Sequence, residues 1–216
     1  MELGKIFILS GPAGVGKSTV SRHLVEHCRG RLKKIVTVTT RMARPGEIDG
    51  VDYLFMDEET FLKHVEEDKF LEYASIHRKH FYGTPMEPVL GNVRRGIDSL
   101  LLVDVQGMMH IRRRLGHLSR QIVTIFIRPE RLDVLEERLR GRGSESVDDL
   151  EWRLKSAIHE MKFANRYDYI VISGSVEEDF ASVEMVHRWE RTKITKGTAT
   201  ATNLVNVGKK MLPKKS

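Results

Sequence analysis

The chain is predicted to fold as an α/β protein, a parallel sheet covered by helices, with a smaller lobe inserted into it. Three observations carry that prediction. Short apolar runs of strand length alternate with amphipathic segments of helix length, the order that builds parallel, helix-covered sheets. The first strand runs through a glycine-rich turn, Gly11-Pro-Ala-Gly-Val-Gly16-Lys17-Ser18, into a helix, the strand–turn–helix frame that a phosphate-binding loop requires. From about Thr40 to Thr84 the alternation lapses into loops and short strand-like pieces, the mark of an insertion.

Taken in order, Lys5 to Ser10 is predicted as a short buried strand, and the helix after the glycine turn carries Val20, Leu24, Val25 and Cys28 on one face. Ile35 to Thr39 reads as a second strand, and Thr40 to Asp52, with Pro45, Gly46 and Gly50, as a loop. Asp57 has the position of an N-cap for a helix to about Val65. Strand-like pieces follow at Phe70 to Ala74 and His80 to Tyr82, and Pro85 suits the first turn of another helix. Ser99 to Val105 is the strongest buried strand pattern, followed by Gln121 to Ile127. Helical pattern runs from Arg131 to Arg140, breaks at Gly141-Arg142-Gly143, and resumes after Ser146, which pairs with Asp149 as a capping box. That second helix puts Val147, Leu150, Leu154, Ile158 and Met161 on one face. Tyr169 to Ile172 is a last strand and Val176 to Trp189 a last helix. Met108, Met109, Trp152 and Trp189 read as packing residues.

Composition narrows the class. With 216 residues, 40% hydrophobic and 31% charged, the chain fits one soluble domain, or one core with an inserted lobe. No apolar run approaches the roughly 18 residues of a membrane span, and the N-terminus lacks the order of a signal peptide. The single cysteine, Cys28, excludes an internal disulfide and fits a reducing compartment, so the expected location is cytoplasmic. The formal charge of +6 invites a nucleic-acid reading, but residues 191–216 hold six lysines, one arginine and no acid. The excess therefore belongs to a basic tail, expected to be a disordered extension, and the body is close to neutral. His77 and His80 have no third ligand close in sequence and read as solvated loop histidines.

The glycine turn is the strongest chemical signal. Its glycines let backbone N–H groups point inward at phosphate oxygens, and the following helix N-terminus adds its dipole. Gly11, Pro12, Ala13, Gly14, Val15, Gly16, Lys17, Ser18 and Thr19 are thus the expected nucleoside triphosphate residues. Lys17 would bridge the β- and γ-phosphates, and the Ser18 hydroxyl would ligate Mg²⁺ brought in with ATP. A second cluster, Thr39-Thr40-Arg41-Met42-Ala43-Arg44-Pro45-Gly46-Glu47 with Gly50 and Tyr53, sets two arginines three apart beside hydroxyls. That suits a second phosphate, because the guanidinium is a rigid bidentate fork, although exposed loop arginines are an equal alternative at this point.

Here the sequence resembles guanylate kinase. The family's T-T-R-x-x-R-x-G-E-x-x-G-x-x-Y segment is present as Thr39 to Tyr53, and its F-x-E-x-A as Phe70-Leu-Glu72-Tyr-Ala74. Y-G-T is Tyr82-Gly83-Thr84, D-x-Q-G is Asp104-Val-Gln106-Gly107, and the lid signature R-G-R-G is Arg140 to Gly143, with Arg153-Leu154 following. The resemblance runs from about Gly4 to Trp189 and implies transfer of the γ-phosphoryl group of ATP to GMP, with dGMP as an expected second acceptor. It implies that Arg41, Arg44, Tyr53 and Tyr82 hold the GMP phosphate, and that Glu72 and Asp104 accept from the guanine N1–H and amine. Thr84, Gly83 and Thr37 would lie along the base edge, and Arg142 and Arg153 would close over the γ-phosphoryl group. Lys17, Arg41, Arg142 and Arg153 are the implied catalytic set.

The implied P-loop NTPase layout is a core of residues 1–38, 85–138 and 155–190, a GMP-binding lobe at 39–84 and a lid at 139–154, followed by the tail from 191. The chain departs from the family in three places: Leu102 replaces the first acid of D-x-D-x-Q-G, Arg78-Lys79-His80 replaces a Gly-Asn, and Ser173-Gly174 stands where an Asn-Asp pair is common. Two alternatives stay open, an inactive guanylate-kinase-like interaction module and a related kinase with another phosphorylated acceptor. Retained Lys17, Ser18, Arg142 and Arg153 argue against the first, and Arg41, Arg44 and Glu72 against the second.

Overall fold

A computed structural model describes residues 2–76, 80–140 and 147–195. The strands are β1 (Ile6–Ser10), β2 (Leu32–Lys34), β3 (Val38–Thr39), β4 (Leu54–Phe55), β5 (Phe70–Ile76), β6 (His80–Pro85), β7 (Asp98–Leu102), β8 (Ile122–Pro129) and β9 (Tyr169–Ser173). The α-helices are α1 (Lys17–His27), α2 (Glu58–Glu66), α3 (Met86–Arg94), α4 (Val105–Arg114), α5 (Leu132–Arg140), α6 (Val147–Met161) and α7 (Val176–Thr195). The architecture is mixed α/β, with parallel strands flanked by helices. The chain divides into two units, Met1–Ile6 with Gly30–Ile122, and Phe7–Arg29 with Val123–Ser216.

In the first unit β2 and β7 pair in parallel, Leu32 opposite Asp98 and Lys34 opposite Leu100. A second sheet has the order β4-β3-β6-β5, antiparallel except for the β3–β4 pair. α2 covers this small sheet because its apolar stripe ends in Phe61, fully buried and stacked on Phe70 at 4.6 Å and Phe81 at 5.3 Å. Truncating such a residue to alanine costs about 3–5 kcal/mol, so Phe61 is the anchor of the lobe. Asp57 caps α2 by accepting from Thr60 N at 2.7 Å, as expected. α4 packs against β5.

In the second unit β1, β8 and β9 lie side by side in that order, β8 and β9 parallel. β8 is buried along almost its whole length, which explains its unbroken apolar run. α1 packs against α7, and Phe7 of β1 meets His187 of α7 at 4.9 Å.

Several elements differ from expectation. Ile35 to Thr39 is not one strand: Ile35 N still bonds Leu100 O, whereas Val38 and Thr39 join the small sheet. A single extended run is shared between two sheets, and alternation along it cannot show the transfer. The strand expected to reach Val105 ends at Leu102, and an unanticipated helix, α4, begins at Val105. On α6, Leu154 and Met161 of the expected face are half-buried beside the buried Ala157, whereas Ile158 is 44% exposed, so only Ile158 departs from that face. The side chains of Val147 and Leu150, and the Ser146 cap, lie outside the described residues. Trp152 and Trp189, expected to pack, are 50% and 44% exposed. α7 continues to Thr195, past the expected tail boundary, because Glu190 and Lys193 bind back to the Tyr169 hydroxyl.

Truncation separates these last contacts from the tail. Ending the chain at Thr195 should leave the melting temperature unchanged, since residues 197–216 are poor in apolar side chains. Ending it at Trp189 strips the partners of the buried Tyr169 hydroxyl and should lower it by about 4–8 °C. Scanning calorimetry on both would decide, and equal losses would contradict the assignment.

Candidate functional site

The glycine turn between β1 and α1 is a cradle of left-handed backbone. Gly11, Gly14 and Gly16 have φ of 144°, 84° and 104°, a region closed to most side chains. Gly11 has a second constraint, since a Cβ there would stand 2.1 Å from the carbonyl oxygen of Ile127. Gly16 caps α1, and its carbonyl accepts from the N–H groups of Thr19 and Val20, each at 3.1 Å. The Lys17 ammonium donates to the carbonyls of Gly11 and, at 2.8 Å, Pro12. It thus lies folded over the cradle, and Ser18 beside it is exposed.

The small sheet builds a second cluster. Arg41 follows β3, and its fork meets Glu47 twice, Nη1 and Nη2 each 2.9 Å from a carboxylate oxygen. Its Nε donates to the Tyr82 hydroxyl at 3.3 Å, and its Cζ lies 5.3 Å from the Tyr53 ring centroid. Tyr53 and Tyr82 meet edge to face at 6.0 Å. Glu47 also accepts from Arg44 N at 2.8 Å, while the Arg44 side chain is exposed. The Arg41 fork and the Arg44 N–H hold the Glu47 carboxyl below its ordinary range, and Glu47 in turn reinforces the Arg41 charge. Burial raises the Tyr53 phenol, so at neutral pH it is a neutral hydrogen-bonding group. One arginine and two phenols converge, with a second arginine at the rim, and such a set suits a phosphate dianion.

On the neighbouring strands, Glu72 of β5 stands opposite Thr84 of β6 and accepts its hydroxyl at 2.6 Å. Burial first, and the Asp104 charge second, push the Glu72 carboxyl up to about 7, against the pull of Thr84. α4 reaches this carboxylate because Gly107 has no side chain: a Cβ there would lie 3.2 Å from Glu72 Oε2. Asp104 caps α4, accepting from Gly107 N at 2.8 Å, and is itself exposed.

The structure therefore brings Arg41, Tyr53 and Tyr82 together as one group and Glu72, Thr84 and Asp104 as another, both in the first unit. Gly83 is buried between them on β6. Thr37 stands just before β3, its carbonyl taken by Leu54 N at 2.9 Å. Arg153 sits half-buried on α6 in the second unit. Arg142, with Arg78 and Lys79, lies outside the described residues. Glu47 was missed as a site residue although it stands inside the quoted motif, because a motif does not say which acid orients which arginine.

Among the described residues no group of three or more His, Cys, Asp and Glu can cage a metal. The exposed Ser18 hydroxyl at the helix start is the kind of single protein ligand that suits Mg²⁺, which keeps most of its ligands as water and substrate phosphate.

Known proteins resemble this chain over most of its length. Residues 3–188 match the family model for guanylate kinase. A guanylate kinase of Nitrobacter winogradskyi is 42% identical over 190 residues, 88% of this chain and 84% of that one. One of Caldanaerobacter subterraneus subsp. tengcongensis is 36% identical over 191 residues, covering 88% and 90%. The crystal structure of guanylate kinase from Anaplasma phagocytophilum superposes with a TM-score of 0.70 at 33% identity, covering 88% of this chain and 87% of that one.

The raised acid has a consequence for stability. Glu72 is neutral in the fold up to about pH 7, whereas unfolded it ionises near its ordinary value, so the fold binds the extra proton. Its stabilising contribution is present below that ordinary value and is lost as pH rises through about 7. Glu72→Gln, which cannot ionise, should therefore gain stability relative to the parent between pH 5 and pH 8, with about 3 kcal/mol as the ceiling. Urea unfolding at both pH values measures it, and a pH-independent difference would refute the raised acid.

Proposed function

This chain belongs to the guanylate kinase family, and on that premise we propose how its residues transfer the γ-phosphoryl group of ATP to GMP. An oxygen of the GMP phosphate bonds to the γ-phosphorus as the bond to the β-phosphate bridge oxygen breaks, leaving ADP and GDP. Such a transfer needs positioning and charge neutralisation more than a covalent residue.

The backbone of Gly11 to Thr19 holds the triphosphate. Lys17 exchanges its contacts with the Gly11 and Pro12 carbonyls for β- and γ-oxygens. Arg41, turned from Glu47, grips the GMP phosphate together with Arg44, Tyr53 and Tyr82. Glu72, as carboxylate, accepts from guanine with Asp104, while Thr84, Gly83 and Thr37 line the base edge. Arg142 and Arg153 cover the transferred group. Ser18 would hold Mg²⁺, which when bound neutralises the triphosphate and orients its oxygens. We extend the acceptor to dGMP and place the enzyme in the cytoplasm, where the buried thiol of Cys28 stays reduced. No helix of the described residues is long and apolar enough to cross a membrane.

The observation that carries the reading is the pairing of a half-buried, hydroxyl-bonded Glu72 with an arginine–tyrosine cluster on the same sheet. Guanine offers two donors side by side, whereas adenine sets an unprotonated N1 against the acid. A site built to hydrogen-bond its substrate can discriminate by about 10⁴.

Two variants test it in a coupled ADP-release assay. Lys17→Ala removes the cation that follows the transferred charge but leaves the cradle, so kcat should fall by about 10³. Turnover above a tenth of the parent would sink the role. Glu72→Gln should cut kcat/KM for GMP at least about tenfold and narrow the GMP/AMP ratio, because its amide can donate to adenine N1. Unchanged discrimination would mean another group reads the base.

A further inference from the structure

The turn after β9 holds a buried carboxylate in the second unit to which the mechanism assigns no part. Ser173-Gly174 offers little side-chain chemistry of its own, and the polar group there comes instead from the first turn of α7. Asp179 is 3% exposed. One of its oxygens accepts from Ser173 Oγ at 2.8 Å and the other from Gly174 N at 2.8 Å.

The same group reaches the phosphate loop. Ser173 Oγ lies 3.4 Å from the Val15 carbonyl, and a Cβ on Gly16 would stand 3.9 Å from Asp179 Oδ2. One carboxylate thus joins the end of β9, the start of α7 and the back of the loop. The Ser173 hydroxyl has a single proton, and the nearer, charged Asp179 takes the larger share of it. An apolar residue at 179 would avoid burying a charge but would leave the Gly174 N–H and the Ser173 hydroxyl poorly paired. The helix N-terminus of α7 offsets part of the charge's burial.

In open α/β sheets, ligands bind outside the carboxyl ends of the strands, and both Ser10 before the loop and Ser173 before this turn are such ends. We propose that Asp179 is a positioning residue for ATP. It touches no substrate, but holds the Ser173–Ser175 turn and Val15–Gly16 in the register the bound nucleotide needs. The inference rests on reading Gly11 to Thr19 as the ATP loop.

Steady-state constants for the full chain test it, with ATP and GMP varied separately. Asp179→Ala should raise the ATP KM about tenfold or more, the loss of one charge-assisted pair, and leave the GMP KM within about twofold. Ser173→Ala, which keeps the Gly174 bond, should raise the ATP KM about threefold. Asp179→Asn can accept from Gly174 N through its carbonyl and donate to Ser173 Oγ through its amide, so it should stay within about threefold of the parent. If Asp179→Ala does not fold, Ser173→Ala with Asp179→Asn decides. An unmoved ATP KM, or ATP and GMP constants that rise together, overturns the proposal. Lys17→Ala in the same assay keeps the two readings apart: if it retains turnover the loop assignment fails, and if it collapses while Asp179→Ala behaves as the parent, only the role of Asp179 fails.

Discussion

The Cβ that Gly11 lacks would stand 2.1 Å from the Ile127 carbonyl, and much of the second unit follows from that missing carbon. β8 is buried and extended beside β1, so the chain leaving β1 must pass close over its backbone before it can turn. Only a residue without a side chain passes, and once it has, the next glycines in left-handed conformation curl the loop until Gly16 starts α1. Lys17 meanwhile rests on the loop's own carbonyls. For the proposed triphosphate site, a backbone curled in advance would be the kind of preorganisation that makes electrostatic stabilisation effective.

The first unit solves a different problem, how to hold a half-buried acid. Glu72 is held by the Thr84 hydroxyl, approached by α4 at a glycine, and left in surroundings that favour its neutral form. On the proposed reading a guanine edge would supply donors to this carboxyl, and the stability lost by holding it there would be given up for selectivity. Asp179 shows the contrasting case: an acid with a serine hydroxyl and a backbone N–H already in place, satisfied by the protein itself and so fitted to hold a turn.

Aromatic packing ties these polar sites to the fold. Phe61 stacks on Phe70 and Phe81, residues that flank Glu72 and Tyr82 in sequence on β5 and β6. The strands that carry the candidate ligands are thus clamped from the helix side by the same rings, and a loosened Phe61 would be felt at both clusters.

What was legible in the sequence was whatever the backbone decides over a few neighbours. The phosphate loop, the Asp57 cap, Pro85 at the head of α3 and the extent of α5 all follow from local φ preferences, capping and periodicity, and they stand where they were expected. The family motifs pointed to Arg41, Tyr53, Tyr82, Glu72 and Thr84, and the small sheet gathers them. Other features depended on partners far along the chain. Whether Ile35 to Thr39 serves one sheet or two depends on Leu100 and Gly83. That Glu47 takes the Arg41 fork and Asp179 takes Ser173 depends on a fold in loop and turn that no spacing rule encodes. Even the acidity of Glu72 lies outside the sequence, because desolvation and the field of Asp104 exist only once β5, β6 and α4 have packed. Chain stereochemistry acts between neighbours and can be read along the sequence, whereas burial and hydrogen-bond pairing act through space and are decided by the assembled structure.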